Sequence, residues 1–147
     1  MAHRQPRSVE QALEIHRQAL AIRETVFERP HPDLAETLNN MGTTLTKLGR
    51  RDEARVVLEQ ALADRRAIFG DEANDLVATT LFNLARVQPD GEDETAREFF
   101  RQSLGQLESS LGSEHPLVAF PLVELGILEM KAGRNEAALP RLERASA

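Results

Sequence analysis

The amino-acid sequence predicts an all-α fold, an α-solenoid of antiparallel helix pairs, on three observations. The segment from residue 115 repeats the segment from residue 31 at a constant offset of 84 positions. A weaker copy that begins near residue 73 fits half of that offset, 42 positions, with a one-residue slip. Apolar residues also recur every three or four positions, which is the period of an α-helix. A fixed period of this size is typical of solenoids, and 147 residues allow about seven helices. The matched pairs are His31 and His115, Pro32 and Pro116, Leu38 and Leu122, Gly42 and Gly126, Gly49 and Gly133, Ala54 and Ala138, and Leu58 and Leu142.

The repeat divides the chain into a tail and one continuous domain. Residues 1–8 are polar and are expected to form a flexible N-terminal tail. Residues 9–147 are expected to form the domain, with a half unit at 9–30, full units at 31–72 and 73–114, and a truncated unit at 115–147. The half unit is one helix, because Ala12, Ile15, Ala19, Ile22 and Val26 recur at helical spacing without glycine or proline.

The first full unit predicts two helices with a tight contact between them. Pro30 and Pro32 end the preceding helix, and Asp33 is the expected N-cap of the next one. An apolar stripe then runs to Gly49, which is expected to end the helix in the left-handed conformation. The second helix begins at Asp52 and ends at Gly70. Small residues at Gly42, Ala54 and Ala61 are expected to let the two backbones approach closely.

The later units follow the same plan less regularly. A helix is predicted from Asp75 to Gln88, then a turn at Pro89-Asp90-Gly91, then a second helix that ends at Gly112. Gly105 inside that helix should cost about 1 kcal/mol relative to alanine. In the third unit, Pro121 predicts a late helix start or a bend.

Composition narrows the possible functions. Acidic residues outnumber basic ones, 24 to 18, and no basic run interleaved with aromatic residues is present, so nucleic-acid binding is disfavoured. There is no cysteine, so disulfides and thiolate metal sites are excluded. No signal peptide or membrane span is recognisable, and a cytoplasmic location without membrane association is the default expectation.

The sequence gives no support for an enzyme, a metal site or a cofactor. His3, His16, His31 and His115 are scattered, and none shares a helical face with another at a spacing of three or four. His31 and His115 fall in the turns between units, where a capping or packing role is expected. No nucleophile elbow or phosphate-binding loop occurs, so no catalytic residue is assigned.

The segments HPDLAETLNNMG and GRRDEARVVLEQALADRRAIFG, with their counterparts HPLVAFPLVELG and GRNEAALPRLERA, resemble the tetratricopeptide repeats. The closest kind is the 42-residue one of kinesin light chains and many bacterial repeat proteins, so a bacterial source is expected. The resemblance covers residues 9–147 and implies a right-handed superhelix. The family usually has an aromatic residue three positions after the small residue of each first helix, and this chain has Leu45, Gln88 and Glu129 there.

The resemblance also implies where a ligand binds, because the first helices of the family's units line a concave surface that holds peptides. Asn40 and Asn83 match a family asparagine whose amide holds the ligand backbone. Phe120 and Glu124 stand where some relatives have cations that bind a terminal carboxylate, so such a clamp is not expected. The cations facing the surface are Lys47 and Arg86, which favours a ligand of mixed charge with an apolar anchor on Phe120. The predicted peptide-binding residues are Glu36, Asn40, Thr43, Lys47, Thr79, Asn83, Arg86, Phe120, Glu124 and Ile127.

Three functional hypotheses follow. The first is a scaffold or adaptor module that binds a peptide or partner protein in the concave groove. The second is homo-oligomerisation, because Ile15, Ile22, Leu139 and Leu142 lie on terminal helices that lack a neighbour. The third is a regulatory or sensor domain of a larger protein.

Overall fold

A computed structural model of the protein describes residues 7–133 and 135–146, and the regular structure in these ranges is entirely helical. This confirms the all-α prediction and the expected number of helices. Of the predicted tail, residues 1–6 lie outside the described residues, and the first helix begins at Arg7. The helices are α1 (Arg7–Val26), α2 (Pro32–Lys47), α3 (Arg51–Phe69), α4 (Asp75–Arg86), α5 (Asp93–Leu111), α6 (Ala119–Lys131) and α7 (Asn135–Ser146), with a 3₁₀ turn (Pro116–Val118) before α6.

The chain forms two compact units, Met1–Asp71 and Glu72–Ala147. The first unit holds α1 to α3, and the second holds α4 to α7. Within them, α2 with α3, α4 with α5, and α6 with α7 form antiparallel pairs joined by short turns. No helix within the described ranges is both long enough and apolar enough to cross a membrane.

Two histidines begin repeat-equivalent helical segments. The Nδ1 atom of His31 accepts a hydrogen bond from the backbone N–H of Asp33 at 3.1 Å, and Nδ1 of His115 accepts one from Leu117 at 3.2 Å. The prediction that Asp33 caps α2 is therefore wrong, because Asp33 lies inside the helix and donates to the cap. The expected capping role of the two histidines is confirmed. The ring of His31 also stacks on Phe27 with 3.9 Å between centroids, which fixes the imidazole in the capping position.

Glycine brings the paired helices into contact at two repeat-equivalent places. A methyl group built on Gly42 would lie 2.4 Å from Cδ2 of Leu58, and one on Gly126 would lie 2.7 Å from Cδ2 of Leu142. Leu58 is fully buried. The second unit has Ala85 at the corresponding place in the α4–α5 pair, where it packs with Ala96 and Phe100. The predicted close approach of the backbones is therefore present, and Gly49 has the expected positive φ of 76° after α2.

The third copy begins late, as Pro121 predicted. The chain first makes the 3₁₀ turn, and α6 starts only at Ala119. Pro121 then falls in the first turn of the helix, where backbone N–H groups have no partner within the helix. The missing N–H of proline therefore costs little at this place.

Glu129, which stands where the family usually has an aromatic residue, is buried in an ion-pair cluster. Its Oε1 atom accepts hydrogen bonds from Nη2 of Arg97 on α5 at 2.9 Å and from Nη1 of Arg141 on α7 at 2.6 Å. Burial alone raises the pKa of Glu129, but the hydrogen bonds and charges of Arg97 and Arg141 outweigh it and hold the pKa below the ordinary value of 4.5. The carboxylate thus joins α5, α6 and α7 where an aromatic ring would otherwise pack.

Replacing Gly42 with alanine should destabilise the first unit. The added methyl group would clash with Leu58, and overpacking of a filled core costs about 1–3 kcal/mol. Gly105→Ala is the matched control, because a methyl group there meets no atom within 4 Å and gains about 1 kcal/mol of helix propensity. In urea unfolding, the free energy of unfolding should fall for Gly42→Ala and rise for Gly105→Ala relative to the parent protein. A stabilised Gly42→Ala protein would contradict the close contact.

Glu129→Gln should destabilise the second unit above pH 4.5 by about 1–3 kcal/mol, because two arginines lose their buried anion. The folded pKa is depressed, so the stabilisation by the carboxylate is present above the unfolded value and is lost as pH falls through the folded value. The difference in free energy of unfolding between the variant and the parent should therefore shrink as the pH falls below 4.5. Free energies of unfolding measured from neutral to acidic pH check this, with half-buried Glu124→Gln as the control on the same helix. A constant difference at every pH would refute the ion-pair assignment.

Candidate functional site

The ten residues predicted to bind a peptide all lie on solvent-accessible faces of their helices. None of them is buried, and Thr43, Asn83 and Glu124 are half-buried. In the first unit, the side chains of Glu36, Asn40, Thr43 and Lys47 follow one face of α2. The opposite face of that helix carries the buried leucines of the core. The helical period therefore placed these four residues on one accessible surface of the first unit.

In the second unit, an apolar pocket of about 240 Å³ opens between α4 and α6, with α5 as its floor. Two predicted residues line it, Thr79 from α4 and Phe120 from α6. The pocket collects side chains from three helices and from the 3₁₀ turn, so it exists only in the folded unit. Its lining residues are Ala78, Thr79, Phe82, Ser103, Leu107, Leu117, Phe120 and Pro121.

A series of phenylalanine contacts connects this pocket to the core. Phe82 meets buried Phe100 edge-on, with 5.4 Å between ring centroids, and meets Phe120 edge-on at 6.3 Å. Both distances lie in the range favoured by aromatic pairs. Phe120 itself is 59% exposed. The exposed ring is thus held in a defined place by half-buried Phe82, which packs against the core.

The rim and the floor of the pocket differ in polarity. The guanidinium of Arg86 lies 5.8 Å from the centroid of the Phe82 ring, which places a positive charge beside the apolar opening. At the floor, the hydroxyl of buried Ser103 donates to the backbone oxygen of Ala78 at 2.8 Å. Because this hydroxyl hydrogen is already used inside the protein, the floor presents a mainly apolar surface to a ligand.

Sequence reasoning missed the residue at the centre of the pocket, Phe82. In the repeat alignment it corresponds to Asn39, which belongs to the buried side of α2. The available signal was composition, because phenylalanine is scarce in this chain, and in the repeat alignment Phe82 and Phe120 fall three positions apart, about one helical turn. The predicted residues Asn83, Glu124 and Ile127 belong to the same unit but do not line the pocket.

Among the described residues, no group of three His, Cys, Asp or Glu side chains could hold a metal ion.

The antiparallel pairs, their glycine contacts and the period of 42 define a helical-repeat protein. A family model described as a tetratricopeptide repeat matches residues 3–67 and 76–147. The chain therefore belongs to the tetratricopeptide repeat family, whose repeats mediate protein–protein interaction.

Two solved structures show the same likeness. The first contains nearly identical TPR-like repeats assigned to a kinesin light chain of Podosopora anserina. It has a TM-score of 0.80 and 25% sequence identity, with 93% of this chain and 65% of that chain covered. The second is BtubC (BKLC) from P. vanneervenii, with a TM-score of 0.82, 26% identity, and coverage of 94% and 54%.

These likenesses confirm the predicted relation to kinesin light chain-like repeats. The chain spans less than two thirds of the length of either structure. No curated protein sequence matches it. The bacterial source stays a prediction.

Proposed function

We propose that the protein is an adaptor module that binds a peptide segment of a partner protein, with one apolar side chain of the peptide seated in the α4–α6 pocket. The observation that carries this proposal is the pocket itself, which Phe82 lines together with Thr79 and Phe120, two residues that the sequence predicts to bind a peptide. An apolar opening beside a few polar groups is the usual composition of a binding site.

The size of the pocket favours a side chain over a larger molecule. Its volume of about 240 Å³ is below the roughly 300–1,000 Å³ of pockets that enclose drug-sized ligands. One aromatic or branched aliphatic group fills such a space. The rest of the peptide would then lie along the exposed faces of α4 and α6.

Polar side chains next to the pocket supply contacts for the peptide backbone and its charges. Asn83 adjoins Phe82 in sequence, and its amide offers both donors and acceptors to an extended backbone. Arg86 on the rim would attract a carboxylate, and half-buried Glu124 on α6 would attract a cation. A peptide with mixed charges and one apolar anchor therefore fits best. The accessible face of α2, with Glu36, Asn40, Thr43 and Lys47, is proposed as a further polar contact surface.

Phe120→Ala should weaken binding of a peptide selected from a displayed random library by about tenfold or more, because truncated anchor contacts cost on the order of 2 kcal/mol. The exposed ring contributes little to folding, so the melting temperature should change little. Fluorescence anisotropy of the labelled peptide measures the affinity, and Met130→Ala, which is exposed on the same helix but does not line the pocket, is the matched control.

The anchor itself is tested with three versions of the selected peptide, which carry tryptophan, leucine or alanine at the anchor position. The protein contains neither tryptophan nor tyrosine, so the tryptophan emission of the peptide is read without background. The alanine version should bind weakest. Equal affinity of the three peptides, or equal loss with Phe120→Ala and Met130→Ala, would reject the pocket as the binding site.

Arg86→Gln should lower affinity mainly at low salt, and only for peptides that carry a carboxylate near the anchor. The guanidinium lies at the surface, where salt screens charge interactions, so the effect should be a few-fold and should vanish as salt rises. Arg101→Gln is the control, because Arg101 is an exposed arginine on α5 whose partner is Glu98. A loss that is independent of salt and of peptide charge would contradict the electrostatic role of Arg86.

A further inference from the structure

The turn between α4 and α5 contains an aspartate that is followed directly by glycine. The turn is closed by a hydrogen bond of 3.0 Å from the backbone N–H of Glu92 to the backbone oxygen of Pro89. Asp90 and Gly91 occupy its two central positions, and both are exposed. Of the eight glycines in the sequence, Gly91 is the one that follows an aspartate or an asparagine. The chain thus has a single Asp-Gly bond, and this bond lies at the surface.

The backbone nitrogen of Gly91 is accessible in the folded protein. Among the described residues, none accepts a hydrogen bond from the N–H of Gly91. A methyl group built on this residue would meet no atom within 4 Å, so the space around it is open. Its φ of 91° is a conformation that glycine adopts readily, and the tip of an exposed turn is lightly restrained. The nitrogen can therefore move relative to the neighbouring carboxyl group.

An aspartate beside such a nitrogen can isomerise to isoaspartate. The amide nitrogen of the next residue attacks the side-chain carboxyl carbon and forms a C–N bond, while one carboxyl oxygen leaves as water with the amide proton and the carboxyl proton. Water then opens the resulting succinimide ring at one of its two carbonyl carbons. Opening at the side-chain carbon restores aspartate. Opening at the main-chain carbon gives isoaspartate, in which the backbone runs through the former side chain and the α-carboxylate is free.

We propose that Asp90 is a modification site of the folded protein, converted to isoaspartate by attack of the Gly91 nitrogen. Other aspartates lack one of the two conditions. Asp71 is exposed outside the helices, but the next residue has a side chain beside its nitrogen. Asp93 is the first residue of α5, so its backbone is held in the helical conformation. The reaction needs no reactant other than water, and it is independent of peptide binding in the pocket.

Isoaspartate at position 90 would alter the connection between α4 and α5. The modified backbone is one methylene longer, so the hydrogen bond from Glu92 to Pro89 that closes the turn would not be kept. The turn also sets how Ala85 of α4 meets Ala96 of α5 in the core of the second unit. We expect the melting temperature of the protein to fall as isoaspartate accumulates, although neither its mass nor its net charge changes.

Incubation of the folded full chain at neutral pH and physiological temperature, followed by tryptic digestion, tests the proposal. Electron-transfer dissociation locates isoaspartate by cleavage of its extra backbone C–C bond. The tryptic peptide VQPDGEDETAR contains Asp90 and the helical control Asp93, and the preceding tryptic peptide contains the exposed control Asp71. Isoaspartate should accumulate at Asp90 at least about tenfold faster than at either control, since the glycine nitrogen has no side chain beside it.

Two comparisons separate the folded turn from the dipeptide alone. The synthetic peptide VQPDGEDETAR should isomerise at a rate similar to that of the folded protein, because the turn leaves the Gly91 nitrogen accessible. Asp90→Glu should remove the signal and keep the melting temperature constant during incubation, because glutamate would have to close a larger ring. Absence of isoaspartate at Asp90, equal amounts at Asp71 or Asp93, or a rate in the folded protein more than about tenfold below that of the peptide would overturn the proposal.

Discussion

Contact between a helix backbone and a leucine of its partner helix sets the geometry of both units. At Gly42 and Gly126 the first helix has no side chain, and Leu58 and Leu142 occupy the space. Interior packing leaves little room for adjustment. The absence of a side chain on glycine therefore sets the distance between the two paired helices. Because the contact recurs after 84 residues, one solution to helix packing is used twice in the chain.

The candidate site depends on the same kind of packing in the second unit. Ala85 packs with Ala96 and Phe100 in the α4–α5 pair, and Phe100 in turn supports Phe82. Phe82 then meets Phe120 and positions an exposed ring at the opening of the pocket. The accessible surface therefore derives its shape from core contacts. For this reason exposed Phe120 has a defined position at the opening of the pocket.

Much of the fold could be predicted because its signals are local and repeated. Helical periodicity, glycine at helix ends and the fixed offset predicted the helices, the late start near Pro121 and the close approach at Gly42. The features that were missed depend on side-chain contacts that helical periodicity does not describe. Asp33 is a better intrinsic cap than histidine, but His31 occupies the capping position, where its ring stacks on Phe27.

The pocket and the ion-pair cluster show the same limit. Phe82 matters because Phe100 and Phe120 lie beside it, and no pattern within α4 reveals that neighbourhood. Glu129 departs from the expected aromatic residue, yet Arg97 and Arg141 from two other helices compensate for its burial. Helical period could assign accessible faces, as it did for all ten candidate residues, but it could not show which of them share a pocket.

Nuclear magnetic resonance of the leucine methyl groups, recorded during titration with a library-selected peptide, tests the proposed binding site most directly. Leu107 and Leu117 line the pocket, whereas Leu38 and Leu58 belong to the core of the first unit. Peptide binding in the pocket predicts that the methyl signals of Leu107 and Leu117 move in proportion to occupancy while those of Leu38 and Leu58 stay unchanged. Saturable binding that leaves the signals of Leu107 and Leu117 in place would contradict it.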